Sequence, residues 1–235
     1  QAILVVGRTE DARTGRLKPA LFVVPTDADG LAHLVTFDAV EGQTTTFRSA
    51  LSFQTRPGVD GQPPERVVEA GPWAIAAYVE DPLETRFIQS FKTFAASAAF
   101  TETRIDNKRY AFEDLLAAFL LRLRHHAGDA LTDAPPAVIV GRPVTFAGGN
   151  ADETLALSRY QTAFQRLGFT DIRYAHEPVG AAFYFARQLK ADATVLVADF
   201  GGGTSDFSII RFEHTPDGLR STPLARSGVG VAGDA

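Results

Sequence analysis

The sequence contains no cysteine, no methionine and a single tryptophan in 235 residues. The missing cysteines exclude disulfide bonds, cysteine-ligated zinc and thiol catalysis, and they fit a reducing compartment. No apolar run approaches the roughly 18 residues that a membrane span needs. No basic segment precedes the short apolar run at the start, as it would in a signal peptide. We therefore expect a cytoplasmic protein that is not inserted in a membrane.

Clustered positive charge is also missing. Lysine and arginine number 23 against 28 aspartates and glutamates, which gives a formal net charge of −5. No segment is rich in lysine or arginine, so we expect no nucleic-acid surface. Hydrophobic residues make up 45% and charged residues 22%, as in an ordinary globular protein with a substantial core.

Apolar segments and amphipathic helical patterns alternate in the second half of the chain. Residues 110–131 and 150–169 place apolar side chains at helical spacing. Residues 135–146 are typical of a buried strand, 172–189 of a short strand, a Glu-Pro turn and a helix, and 194–212 of two strands. Strands that are apolar throughout and alternate with helices indicate a sheet covered on both faces, so the fold class is α/β.

The segment 194–212, TVLVADFGGGTSDFSIIRF, joins its two strands through glycines. Asp199 ends the first apolar run, and Asp206 begins the second. The bend between them is built from Gly201, Gly202, Gly203 and Thr204. Glycines let backbone N–H groups approach an anion, and carboxylates with a hydroxyl are typical of a Mg²⁺–phosphate site. A hairpin with solvated aspartates is the simpler alternative, but a charge at the end of a buried strand is expensive.

Other phosphate-binding motifs do not fit this segment. The sequence has no G-x-x-x-x-G-K-[ST], which excludes a P-loop. The Asp-Phe-Gly triplet occurs in protein kinases, but the other kinase motifs are absent. A dinucleotide-binding fingerprint would be followed by a helix, whereas a strand pattern follows here.

Four segments together resemble the heat-shock protein 70 family, a branch of the actin/hexokinase-like ATPase fold, which is ribonuclease H-like. Residues 199–206 are similar to its second phosphate motif, and HEPVGAAFYFAR (176–187) to its Glu-Pro-x-x-Ala-Ala helix. AVIVGRPVTF (137–146) resembles its strand ending in proline, and ETRFIQSFKTF (84–94) the segment with its catalytic lysine. The resemblance extends over about residues 30–235.

The resemblance implies a domain organisation for the chain. Residues 1–192 would form lobe I of the nucleotide-binding domain, with an inserted subdomain at about 41–109. Residues 193–235 would begin lobe II. Only the N-terminal half of a full ATPase domain is covered, so we expect a partial domain.

The resemblance also implies ligands and roles for the glycine segment. Gly201, Gly202, Gly203 and Thr204 would hold the β- and γ-phosphates of ATP, or the β-phosphate of ADP. Asp199 and Asp206 would fix Mg²⁺ through water, and Asp199 would also polarise the attacking water. Phosphoryl transfer of this kind needs positioning and charge neutralisation more than covalent help.

Three further residues receive roles from the same resemblance. Lys92 would lie at the γ-phosphate and orient the attacking water, Glu177 would join the Mg²⁺–water network, and Pro143 would lie at a hinge that relays the nucleotide state. Simpler interpretations are a surface lysine, a carboxylate at a helix N-terminus and a strand terminator. His125 and His126 are interpreted as residues at a helix C-terminus, favoured by the helix dipole, rather than as metal ligands.

The resemblance predicts the ATP-hydrolysing domain of a divergent heat-shock protein 70-like chaperone, with client proteins and co-chaperones as partners. The family opens with a strand ending in Asp-x-Gly-Thr, and residues 1–26 contain no such motif. One alternative is therefore a nucleotide-sensing or protein-interaction module that does not hydrolyse ATP. A sugar or metabolite kinase is a third candidate, for which no sugar-binding Asn/Asp pattern is found.

Overall fold

The computed structural model describes residues 2–10, 17–24, 35–58, 61–128, 137–186, 189–200, 205–216 and 218–229. Its strands are β1 (Ala2–Glu10), β2 (Leu17–Val24), β3 (Phe37–Ala39), β4 (Gly42–Thr44), β5 (Ala50–Arg56), β6 (Glu65–Ala70), β7 (Arg86–Gln89), β8 (Thr103–Ile105), β9 (Lys108–Tyr110), β10 (Ala137–Arg142), β11 (Asp171–His176), β12 (Ala193–Phe200), β13 (Ser205–Thr215) and β14 (Gly218–Val229). Its α-helices are α1 (Gly71–Glu80), α2 (Phe112–Ala127), α3 (Glu153–Arg166) and α4 (Glu177–Ala186), and a short 3-10 helix covers Phe91–Phe94.

A four-stranded sheet has the order β11-β10-β1-β2. The β10 strand pairs in parallel with both β1 and β11, and β2 returns antiparallel along β1. From α2 onward the described elements follow the predicted order of helix, strand, helix, strand, helix, strand, strand, and β14 then adds a further strand. The mixed α/β class is therefore confirmed.

The two helices α2 and α3 form the main core with this sheet. Phe112, Leu115, Phe119 and Leu123 follow the helical spacing of α2, and all four are buried. They belong to one apolar cluster with residues of α3 and β10. The carboxylate of Asp152 caps α3 by accepting the N–H of Leu155 at 2.9 Å. The structure thus confirms both predicted helices, with ends two to four residues inside the predicted bounds.

Residues 41–109 contain a second small sheet, of order β6-β5-β7, which is antiparallel. Its core joins that of α2 through aromatic rings, since Phe47 lies 5.5 Å from Phe119 between ring centroids. Gly71 begins α1 with φ of +60°, and a Cβ there would lie 2.6 Å from the buried Phe47 ring. Only glycine adopts this positive φ readily and also leaves room for the Phe47 ring.

A three-stranded antiparallel sheet, β12-β13-β14, follows at the end of the described chain. Ala182 and Ala186 of α4 form a small buried cluster with Ile210 and Phe212 of β13. The same helix contacts β1, β10 and β11 of the first sheet, so α4 lies between the two sheets. Among the described helices, none has both the length and the apolar character needed to cross a membrane.

A polar and aromatic cluster ties β6 to the end of α2. Glu69 accepts hydrogen bonds from Arg122 at 2.5 Å and is 2.8 Å from His126 Nε2. The His126 ring stacks on Trp73 with 3.5 Å between centroids and 5° between planes. Burial acts to raise the pKa of Glu69, but the hydrogen bonds and charges of His126 and Arg122 outweigh it and hold that pKa below its ordinary value.

Glu69→Gln should therefore lower the free energy of unfolding by about 1–2 kcal/mol at pH 7, because a charge-assisted hydrogen bond is weakened. The difference should shrink as the pH falls below 4.5, since a depressed folded-state pKa means that the unfolded chain takes up the proton first. Urea unfolding followed by Trp73 fluorescence at pH 7 and in acid measures both values. Glu102→Gln, at an exposed ion pair with Arg109, is the control and should change little.

Candidate functional site

A lysine and a glutamate from distant parts of the chain form an ion pair at the centre of the site. Lys92 lies in the 3-10 helix, and its Nζ is 2.5 Å from Oε1 of Glu177, which lies 85 residues further along. The Glu177 side chain is 8% exposed and that of Lys92 26% exposed. The structure thus brings together two residues that the sequence assigned to the same chemistry.

Local structure explains how each partner is held. Glu177 is the first residue of α4, directly after β11, where the positive end of the helix dipole favours a carboxylate. Lys92 follows the buried Phe91, whose ring contacts Phe112 and Phe119 of α2. The chain enters this 3-10 helix through Ser90 at φ of 54°. The core of α2 therefore fixes the backbone from which the lysine extends.

The carboxylate of Asp206 contacts the segment that follows Pro143. Its Oδ1 accepts the backbone N–H groups of Val144 at 3.1 Å and Thr145 at 3.3 Å. The residue is 1% exposed. The sequence predicted Asp206 only as a partner of Mg²⁺-bound water. Backbone amides of the segment after β10 leave no mark in a sequence, so this second role of Asp206 could not be predicted.

A glycine of β14 lies against the same two residues. Gly228 is the Cα partner of Asp206 in the β13–β14 ladder. A Cβ at this position would lie 2.5 Å from Thr145 Oγ1 and 2.7 Å from Asp206 Oδ1. We call the contact of Asp206, Thr145 and Gly228 the Asp206 junction. It joins the β12-β13-β14 sheet to the segment that follows β10.

The two aspartates of the glycine segment occupy partnered positions on adjacent strands. The β12–β13 ladder pairs Asp199 with Asp206 and Phe200 with Ser205. The predicted pair of strands joined at the glycines is thereby confirmed. Gly201, Gly202, Gly203 and Thr204 lie outside the described residues, and their predicted contacts with phosphate stay predictions.

A buried arginine, which the sequence did not single out, holds the carbonyl of Pro143. Arg142 Nε donates to the Pro143 oxygen at 3.1 Å, and Nη1 donates to Glu153 at 2.6 Å. Its guanidinium carbon lies 5.2 Å from the centre of the Phe146 ring. The hydrogen bond from Arg142 is the main cause that lowers the pKa of Glu153. The Arg142 side chain thus contacts both the start of the segment after β10, at Pro143, and the first residue of α3, Glu153.

A histidine next to Glu177 lies in positively charged surroundings. His176 Nδ1 is 3.4 Å from Nη1 of Arg226, on β14. Burial lowers the pKa of His176, and the charges of Arg142 and Arg226 lower it further against the opposing effect of Glu153. The imidazole is therefore held in its neutral form more strongly than a free histidine.

The described side chains include groups that could contact a phosphate and a hydrated cation. No cluster of three or more histidine, aspartate or glutamate side chains in the described part of the chain could hold a metal ion. Mg²⁺ commonly keeps several waters and binds through one or two carboxylates and substrate phosphates. Lys92, Glu177 and Asp206 supply an ammonium and carboxylates, the groups that such a site needs.

Comparison with known proteins gives a family match over more than half of the chain. The family model described as Hsp70 protein matches residues 83–224. That span contains Lys92, Pro143, Glu177 and the whole of 199–206.

Individual relatives match over smaller shares of their own length. Chaperone protein DnaK of Deinococcus proteolyticus is 28% identical over 195 residues, 77% of this chain and 29% of that protein. Heat shock 70 kDa protein 6, chloroplastic, of Arabidopsis thaliana is 30% identical over 104 residues, 44% of this chain and 14% of that protein. Acyl-CoA dehydrogenase FadE12 of Mycobacterium tuberculosis is 70% identical over only 33 residues, 14% of this chain and 8% of that enzyme. The matched part of the chain thus spans less than a third of the length of each of these three relatives.

Proposed function

Because the chain belongs to the heat-shock protein 70 family, we propose that it forms part of the ATP-binding and ATP-hydrolysing module of a divergent chaperone. In this proposal residues 1–192 are lobe I of an actin-like ATPase domain, with an insertion at about 41–109. Residues 193–235 begin lobe II. Client proteins and co-chaperones are the partners of the longer protein.

The Lys92–Glu177 ion pair carries the proposal. A buried carboxylate that holds a lysine ammonium fixes one positive charge at a defined point of the site. Phosphoryl transfer depends on such positioned charge, because negative charge on the γ-phosphoryl oxygens must be neutralised in the transition state. Lys92 would bind the γ-phosphate and orient water, and Glu177 would hold the lysine and the waters around it.

The glycine segment supplies the remaining groups. Backbone amides of Gly201–Gly203 and the Thr204 hydroxyl would bind phosphate oxygens, and Asp199 would accept hydrogen bonds from the attacking water. Mg²⁺, when bound, neutralises phosphate charge, and Asp199 and Asp206 would hold it through its waters. Pro143 would act as the hinge. It lies where contacts from two parts of the chain meet: Arg142 donates to its carbonyl, and Asp206 accepts the N–H groups of the two residues that follow.

Calorimetric titration with Mg-ATP tests the proposal, on this chain and on a chain extended at both ends. Binding and turnover in the extended chain, or in both, would support it. Absence of Mg-ATP binding in both chains would refute it. A steady-state phosphate-release assay on the same samples separates binding from hydrolysis.

Asp199→Asn should reduce turnover at least a hundredfold in a chain that hydrolyses ATP, and Mg-ATP affinity much less. The amide keeps the size of the carboxylate but is a poor acceptor for the proton of the attacking water. Phosphate release and calorimetric affinity, measured side by side, show whether the two effects separate. An unchanged turnover rate would remove Asp199 from this role.

A second candidate is a module on the same fold that binds nucleotide or protein without hydrolysis. It is favoured by the β1–β2 hairpin, where Gly7 and Thr9 occur without a preceding aspartate. Mg-ATP binding without phosphate release, in both chains, would select this candidate.

A further inference from the structure

One arginine of α3 binds four backbone carbonyls of the segment that follows Lys92. Arg159 Nη1 donates to Phe94 at 3.0 Å, Ala95 at 2.9 Å and Ser97 at 3.1 Å, and Nη2 donates to Phe100 at 2.6 Å. A guanidinium carries five N–H donors in a rigid plane, so it can bind several carbonyls at once. Arg159 therefore fixes the course of the backbone over residues 94–100.

These hydrogen bonds reach Lys92 through its own backbone. The carbonyl of Lys92 accepts the N–H of Ala95 at 3.0 Å, where the 3-10 helix ends. The carbonyl of Ala95 in turn accepts the hydrogen bond from Arg159. Ala95 and Ala96 are both buried, and the Ala96 carbonyl accepts the N–H of Asp152, the cap of α3. The start of α3 thus determines where the lysine stem leaves the backbone.

The same helix also holds the strand that leads to Glu177. The hydroxyl of Tyr174, on β11, donates to the carbonyl of Leu157 at 3.3 Å. Glu177 follows directly after β11. Leu157 lies two residues before Arg159 on α3. Both partners of the ion pair are therefore tied to the same part of α3, although 85 residues separate them in the sequence.

We propose that Arg159 is a positioning residue, which places the Lys92 ammonium against the Glu177 carboxylate and, with nucleotide bound, against the γ-phosphate. Only the second part of this inference rests on the proposed function. Arg159 acts through the backbone between Lys92 and Ala95. A displacement of about 1 Å can cost an enzyme about a hundredfold in rate, so the position of this backbone matters for catalysis.

Arg159→Lys tests whether the ion pair depends on these hydrogen bonds. Lysine keeps the charge but donates from one nitrogen, which cannot reach all four carbonyls. Lys92→Met lowers the urea concentration at the unfolding midpoint, because Glu177 loses its ammonium partner. In an Arg159→Lys background this shift should fall to about half or less, since the ion pair is already loosened. Trp73 fluorescence during urea unfolding measures each midpoint.

Arg166→Lys is the matched control on the same helix. Arg166 pairs with Asp114 on α2, so in this background Lys92→Met should shift the midpoint as it does in the unmodified chain. An undiminished shift in the Arg159→Lys background would overturn the inference. It would show that Arg159 stabilises the fold without positioning the lysine.

A second measurement needs only a single substitution and folded protein. Acetic anhydride reacts with the free amine, and pairing with a carboxylate favours the ammonium form. Arg159→Gln should therefore raise the labelling rate of Lys92 about threefold relative to the exposed Lys108, as measured by mass spectrometry. An unchanged ratio would contradict the positioning role.

Nucleotide tests the second part of the inference, in whichever of the two chains above hydrolyses ATP. Arg159→Lys should lower turnover about tenfold and leave Mg-ADP affinity within about twofold, because ADP has no γ-phosphate for Lys92 to bind. Phosphate release and calorimetric titration measure the two values. Unchanged turnover, or an equal loss of Mg-ATP and Mg-ADP affinity, would overturn this part.

Failure of the proposed function gives a different result. If neither unmodified chain binds Mg-ATP, the proposed function is refuted, and the role of Arg159 toward the γ-phosphate with it. The unfolding and labelling experiments use no nucleotide, so they still decide whether Arg159 positions Lys92 against Glu177.

Discussion

Replacing Lys92 by methionine should lower the free energy of unfolding by about 3 kcal/mol. Methionine keeps most of the length of the lysine stem but leaves the buried Glu177 carboxylate without its ammonium partner. Breaking a buried ion pair by removing one partner commonly costs about 3–5 kcal/mol, and partial exposure of Lys92 places the expected value at the low end. Urea unfolding at pH 7 measures it.

The Arg166–Asp114 pair is the matched control for Lys92. Its N–O distance is 2.6 Å, but its side chains are 44% and 37% exposed. Arg166→Met should therefore cost about 1 kcal/mol or less. The double variant Lys92→Met, Glu177→Gln should recover part of the loss, because a buried amide is less costly than a buried charge. Equal effects of Lys92→Met and Arg166→Met would contradict the burial argument.

Gly228→Ala should lower the free energy of unfolding by about 2 kcal/mol, because the added methyl group overpacks the Asp206 junction. The new Cβ would lie 2.5 Å from Thr145 Oγ1 and 2.7 Å from Asp206 Oδ1, which two backbone amides hold in place. Neither atom is the free end of a flexible chain, so strands or side chains must shift. Urea unfolding measures the loss.

Gly149→Ala is the control for this substitution. An added Cβ there meets no atom within 4 Å, and the backbone does not have a positive φ. Its stability should change by less than about 0.5 kcal/mol. In a Thr145→Ala background the effect of Gly228→Ala should be smaller, since the nearest atom is gone. Additive effects of Thr145→Ala and Gly228→Ala would show that the junction does not exist as described.

The sequence predicts the second half of the fold well for a physical reason. The α2 and α3 helices bury a regular apolar stripe, and the apolar runs of β10 and β12 are too short for helices of that kind. Periodic burial leaves a pattern in the sequence that can be recognised without the structure. The small strands β3, β4, β8 and β9 are only three residues long, and three residues carry no measurable period.

The candidate site is predictable in its residues but not in its contacts. Lys92 and Glu177 were each assigned a role through separate motifs, but their ion pair joins positions 85 residues apart. Arg142 and the amides bonded to Asp206 gave no signal, because a buried arginine and a backbone N–H belong to no motif. His126 does lie in the last turn of α2, as predicted, but its stacking on Trp73 depends on α1.

The position of α4 has a mechanical consequence. Its ten residues span about 15 Å, with Glu177 attached to Lys92 at one end and Ala182 and Ala186 packed against β13 of the β12-β13-β14 sheet. A tilt of about 5° around Glu177 would displace the far end by about 1 Å, given that length. The short side chains of Ala182 and Ala186 bring α4 close to β13, so any such displacement would reach β13 through these contacts.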